Sequence, residues 1–312
     1  MGDVLAGIHA TWEFDTDSVL IRFERGIRTP RLFQSLRERR IPYAALSAVG
    51  MTPGKRGTVV LHASPRPGAD PLMEAAAGQL KDGADPYRLV LPGDRETLAE
   101  YYRDELRAVL GPEAGQPADH FLVPAPKGPL QFKAYDGRAS FDGERVSFRW
   151  SWTGASSAKW RAGDQSFPVE RVAGVEWRSP EAFEGYLRLL THPSDPAAAV
   201  PAQPCVTSPG ELPGGGTAER PAQADQDPAA VLFGLGYGPV HESLPFAAAV
   251  LESARRRPSV PVPTSLVPVG AAARRDPADI AERIRHLGEL HQAGLVTDVE
   301  FSAKKAELLA EL

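Results

Sequence analysis

The chain has 312 residues, 42% of them hydrophobic and 24% charged, which is enough for two domains of ordinary size with further segments beside them. A formal net charge of −5 excludes a general nucleic-acid binder, since counterion release needs Lys and Arg in local excess over the surrounding acid. The single cysteine, Cys205, excludes an internal disulfide, and no apolar run reaches the roughly 18 residues of a membrane-spanning helix. The stretch MGDVLAGIHATWEFD lacks the basic and apolar regions of a secretion signal, so a cytoplasmic location is expected. Arg outnumbers Lys and Ala, Gly and Pro abound, a composition that points to a GC-rich genome such as that of an actinobacterium.

The first predicted element is a hairpin of residues 7–14 and 14–23, turned at FDTD, in which Val19, Ile21 and Phe23 alternate toward one face. RGIRTPRLFQSLRERR (25–40) then places six arginines between two strands. RIPYAALSAVGM (40–51), GTVVLHA (57–63) and YRLVL (87–91) read as further strands. They lead to an amphipathic helix over 94–110 with Leu98, Tyr102, Leu106 and Val109 in one stripe, Asp94 as N-cap and Gly111 as stop.

The same order then recurs. FDGERVSFRW (141–150) answers FDTDSVLIRF (14–23), SFPVERVAGVEW (166–177) answers RIPYAALSAVGM, and GYLRLLT (185–191) is set against GTVVLHA. VLFGL (231–235) precedes a second helix, opened by Ser243 with Pro245 in its first turn and carrying Phe246, Val250 and Leu251; the RRRP after it places cations at its negative end. Three matched segments in one order predict a duplicated, mostly antiparallel unit. Residues 193–229 interrupt the second copy with a Pro/Gly-rich polar stretch whose composition predicts disorder.

A meander of short strands capped by one helix is similar to a pleckstrin-homology-like (PH-like) barrel. The doubled pattern over residues 3–257 resembles an actinobacterial domain-of-unknown-function family of tandem PH-like units, although the first copy has FDT where FDG is usual. The resemblance implies an α+β chain: two tandem PH-like β-barrels, each closed by a C-terminal helix, at 3–111 and 128–257. It carries no established activity.

A Pro-rich linker (258–275) leads to DPADIAERIRHLGELHQAGLVTDVEFSAKKAELLAEL (276–312), read as two short helices. Asp276 with Pro277 opens the first, Gly294 stops it, and Thr297 with Glu300 forms a capping box for the second. This segment resembles the SHOCT (short C-terminal) domain, which implies oligomerisation or partner contact. A hairpin this short rarely folds on its own core, so its stripe needs company from another copy of itself or from another protein. Ile284, Leu287, Leu290, Phe301 and Leu308 are the expected assembly face.

The arginine-rich loop offers Arg28, Arg31, Arg37, Arg39 and Arg40 to an anionic ligand or membrane surface, a role the loops of PH domains often have. The plainer expectation is that they are solvated strand ends, and that Trp150, Trp152 and Trp160 pack across the two units. GLGYG (234–238) lacks the third glycine and the setting of a dinucleotide loop, so it reads as a flexible strand end. The seven histidines show no metal-ligand spacing, and no GxSxG, HExxH, phosphate-loop or paired-carboxylate arrangement occurs. The sequence therefore predicts a non-enzymatic adaptor without cofactor, whose PH-like surfaces bind a partner and whose tail assembles it. The alternative is a peripheral membrane or anionic-ligand module.

Overall fold

The computed structural model describes residues 3–127, 130–182, 184–192, 223–234 and 236–256. The linker, the tail with its five assembly residues, and most of the insertion lie outside the described residues. The described residues form one compact unit.

In the first repeat, β1 (Asp3–Ala6), β2 (Ala10–Phe14), β3 (Ser18–Phe23) and β4 (Glu38–Pro42) pair antiparallel in that order. Leu5, Trp12 and Ile21 stand opposite one another in register and are fully buried. This is the outcome of period-two alternation with one face turned inward. A short helix α1 (Arg31–Leu36), not anticipated in the arginine-rich stretch, joins β3 to β4 and buries Leu32, Phe33 and Leu36. A second meander follows, of β5 (Leu46–Pro53), β6 (Thr58–Pro65) and β7 (Arg88–Pro92), with α2 (Pro71–Ala76) inserted and α3 (Glu96–Ala108) closing the repeat.

The second repeat copies this plan. β8 (Gln131–Lys133), β9 (Gly137–Phe141), β10 (Arg145–Trp150) and β11 (Gln165–Pro168) form the four-stranded sheet, with α4 (Ser157–Ala162) between β10 and β11. β12 (Val172–Arg178), β13 (Tyr186–Thr191) and β14 (Ala230–Leu232) form the three-stranded one, and α5 (Val240–Arg256) ends it. The duplication extends to irregularities: the ladder slips between Leu46 and Ala48 in one copy and between Val172 and Gly174 in the other. In both copies the β1–β2 or β8–β9 turn reaches the last strand by one backbone bond, Ile8 N–H to Val90 O at 2.7 Å and Tyr135 N–H to Leu232 O at 2.9 Å.

Three expectations are corrected. The two sheets of a repeat do not close into one hydrogen-bonded barrel. Pro42 and Pro168 end the fourth strand without an N–H to give, and 3-10 turns at Tyr43–Ala45 and Val169–Arg171 break the ladder there. The equivalence of GTVVLHA with GYLRLLT slips by two residues, because Leu46 pairs with Pro65 where Val172 pairs with Thr191. A two-residue slip keeps every side chain on its face, so alternation alone does not detect it. Finally, α5 begins at Val240, so Ser243 is not its cap. It lies inside the helix, buried, its hydroxyl bonded to Gly238 O (2.9 Å) and accepting the indole N–H of Trp177 (3.1 Å).

The repeats pack on each other through α5. Where α3 buries one stripe (Ala99, Tyr102, Leu106), α5 buries Leu244, Pro245, Phe246, Ala247, Ala248, Val250 and Leu251, which surround the helix. One side covers its own β8 and β12, and the other meets α1 and α2 of the first repeat. Polar ties flank the contact: Gln79 Nε2 donates to Trp177 O (2.8 Å), Gln79 Oε1 accepts Ser179 N–H (2.9 Å), and Arg255 forks onto Glu74. Trp150 packs within its own repeat, against Phe148 and Lys159, and Trp152 meets Trp160; Trp177 is the tryptophan tied across, through Gln79 of the first repeat.

Candidate functional site

A large concave surface lies on the first repeat, an open cleft of about 1060 Å³ between β3, α1–β4 and the connector of residues 123–127. Arg22, Arg25, Arg37, Arg39, Arg40 and Lys127 line it, with Glu38 as its one carboxylate. The sheet places them: β3 turns Arg22 outward between buried Ile21 and Phe23, and Arg25 follows at its end. The connector is held by Leu122 and Val123 N–H groups bonded to Ala69 O.

The cations differ in their freedom. Arg39 is buried, with its guanidinium on Asp70 Oδ1 (2.8 Å) and 3.2 Å from the Tyr87 hydroxyl, which itself donates to Asp70. Burial opposes the charge, but Asp70 and Tyr87 outweigh it and hold Arg39 above its ordinary pKa, so it is the ionised floor of the cleft. Arg22 pairs with Glu13 (2.8 Å) and Glu38 (3.6 Å). Arg40 donates to Asp15 and to Ser18 Oγ (2.8 Å), and the bond to Asp15 raises its pKa. Among the described residues Arg25, Arg37 and Lys127 pair with no carboxylate, and all three are exposed.

Arg37 is also strained. It caps α1 at φ 61°, ψ −61°, where the second repeat has Gly163 at φ 68°. A non-glycine residue at positive φ costs about 1–2 kcal/mol, and this cost puts a guanidinium in the cleft.

The second repeat builds the equivalent place differently. At the positions of Arg25 and Gln34 stand Trp152 and Trp160, packed edge to face at 5.1 Å. Trp150 is buried and donates to Gly163 O (2.7 Å). Lys159, fully buried, binds Asp136 (2.6 Å) with its ammonium 5.0 Å from the Trp150 ring. Burial pushes the Asp136 carboxyl up and the Lys159 ammonium down, and their mutual attraction opposes both shifts. GLGYG ends β14: Gly236 and Gly238 have positive φ, and a Cβ on Gly238 would stand 2.2 Å from the Phe233 ring.

Of the five arginines expected to face an anion, Arg37, Arg39 and Arg40 line the cleft, while Arg28 and Arg31 lie outside it. Arg39 is a structural ion rather than a free one, and Arg40 is largely engaged. The inward turn of Arg39 was legible, since in ERRIP it shares a strand face with core residue Ile41. Arg22, Arg25 and Lys127 were missed: Arg22 belongs to another strand, and only the fold returns the connector carrying Lys127 to this face.

The geometry defines a class: a duplicated α+β protein of antiparallel meanders, fused through helices, with a basic cleft on one copy. The chain belongs to the family described as Domain of unknown function (DUF4429), whose profile matches it twice, over residues 12–107 and 139–251. The two matches fall one on each structural repeat. No curated protein matches the chain. Among the described residues no helix is long and apolar enough to cross a membrane, and no group of three or more His, Cys, Asp or Glu side chains is placed to hold a metal.

Proposed function

We propose that the protein is a non-enzymatic, cytoplasmic adaptor whose first repeat binds an anionic group. In this reading the body is a pair of PH-like units of the actinobacterial kind, and the tail is a SHOCT hairpin that joins copies or docks on a partner protein. Several clefts held together would then bind a multivalent anionic target with raised avidity. The observation that carries the reading is Arg37. It is held at positive φ where the other repeat uses glycine, and it faces a cleft whose other free cations, Arg25 and Lys127, also pair with no carboxylate among the described residues. Strain kept at one position of a repeat and relieved at its counterpart points to a role for the side chain.

Inorganic pyrophosphate, a compact dianion-bearing probe, tests it. Pyrophosphate is expected to raise the melting temperature of the full chain more than chloride at equal ionic strength. Arg37→Gly is expected to abolish that protection, weakening binding about tenfold or more for the loss of a charge-assisted contact. The same change should stabilise the unliganded protein by up to about 1 kcal/mol, because glycine relieves the strained φ. Equal protection of both proteins would refute the cleft as an anion site.

A further inference from the structure

We infer that the first repeat docks on an anionic bilayer surface, with Ile27 entering the interface and the cleft beside it receiving a phosphate headgroup. Ile27 is 106% exposed, whereas among the described residues the next most exposed large apolar side chains, Val4 and Tyr101, reach only 53%. It sits at the tip of the turn between β3 and α1, in the run Arg25-Gly26-Ile27-Arg28. The turn is built to hold it there. Thr29 N–H closes onto Gly26 O (3.1 Å), Gln34 Nε2 donates to both Gly26 O (3.0 Å) and Thr29 O (2.9 Å), and Thr29 Oγ1 lies 3.3 Å from His9 Nδ1. An isoleucine fixed in full contact with water gains nothing for the fold, but it loses little entropy on insertion.

Within four residues of the tip in the chain stand Arg25, Arg28 and Arg31, all exposed and, among the described residues, paired with no carboxylate; Arg25 is also part of the cleft rim. An apolar tip within a collar of cations matches the layering of a bilayer, where anionic headgroups lie above hydrocarbon. A soluble phosphate would use the cleft and leave Ile27 idle. The inference rests on the anion reading of the cleft but adds a surface that the cleft alone does not need. It also gives Arg28, outside the cleft, a place.

The test is co-sedimentation of the full chain with vesicles of phosphatidylglycerol and phosphatidylcholine, or of phosphatidylcholine alone, beside the pyrophosphate melting assay. The chain should pellet with anionic vesicles, less so at high salt, and not with neutral ones. Ile27→Ser should reduce partition about tenfold for the lost apolar burial, and Ile27→Phe should retain it. Both should melt with the wild type, since the side chain supports no packing. Ile27→Ser binding vesicles as well as the wild type, or binding indifferent to lipid charge, overturns the inference. Pyrophosphate protection without vesicle binding overturns the bilayer and leaves the cleft standing, and loss of both overturns both. Protection by poly-glutamate without vesicle binding assigns the cleft to an acidic protein and likewise overturns the bilayer.

Discussion

Trp12 and Trp177 are both fully enclosed, yet only one indole has an acceptor. Trp177 donates to Ser243 Oγ at 3.1 Å, whereas Trp12 Nε1 finds no hydrogen-bond partner among the described residues. A buried donor left unmade costs about 1–3 kcal/mol, so Trp12→Phe exchanges lost packing for a removed penalty and should change stability by less than about 1 kcal/mol. Trp177→Phe loses packing and a made bond together and should cost about 1–2 kcal/mol more. Urea unfolding of both variants checks the order. The Phe-Asp turns differ in the same local way. Asp142 accepts the N–H groups of Glu144 and Arg145 at 2.8 and 2.7 Å with Gly143 at φ 98°, and these bonds hold its carboxyl below the ordinary range. That contribution is complete above the unfolded carboxylate pKa and is lost as pH falls through the lowered folded value. Asp15, followed by Thr16, turns its carboxylate to Arg40 instead. The departure from FDG thus changed what the aspartate does, which the sequence marked without explaining.

The helices show how similar positions acquire different work. The sequence announces α3 as a surface helix, but its buried stripe is Ala99, Tyr102 and Leu106; Leu98 and Val109 of the expected stripe are exposed, and Arg95 rather than Asp94 stands at the N-cap. In α5 the run SLPFAAAVL is apolar on every side, a pattern that calls for burial on two faces. Its alanines, with Ala75 and Ala76 of α2, let the helices approach closely across the repeats. α2 depends on Asp70, which caps its first turn through Leu72 N–H (2.8 Å) and neutralises buried Arg39. Asp70→Ala should destabilise the body by about 3–5 kcal/mol, because it strands an uncompensated guanidinium as well as a helix end. Asp70→Asn, which keeps an acceptor for the cap, should cost less. Thermal unfolding followed by circular dichroism measures both; equal losses would mean that the charge of Asp70 is unimportant.

At the scale of the whole molecule, the folded body and the tail are proposed to divide binding from assembly. Deleting residues 276–312 should lower the solution mass, measured by light scattering, to that of a monomer while the body keeps its melting transition. An oligomer that survives the deletion rejects the tail as the assembling element. The sequence by itself determined the duplication, the strand faces, the closing helices and the Pro/Gly-rich interruption. These follow from periodicity, turn chemistry and composition, which act over a few residues. Only the tertiary structure decided which arginines are free, that Trp177 rather than Trp150 lies between the repeats, that Lys127 returns to the cleft, and that Ile27 stands clear of everything. Charge pairing and burial depend on what a side chain meets from distant segments. Arg39 and Arg37 are two residues apart in the chain, yet one meets Asp70 and the other meets water.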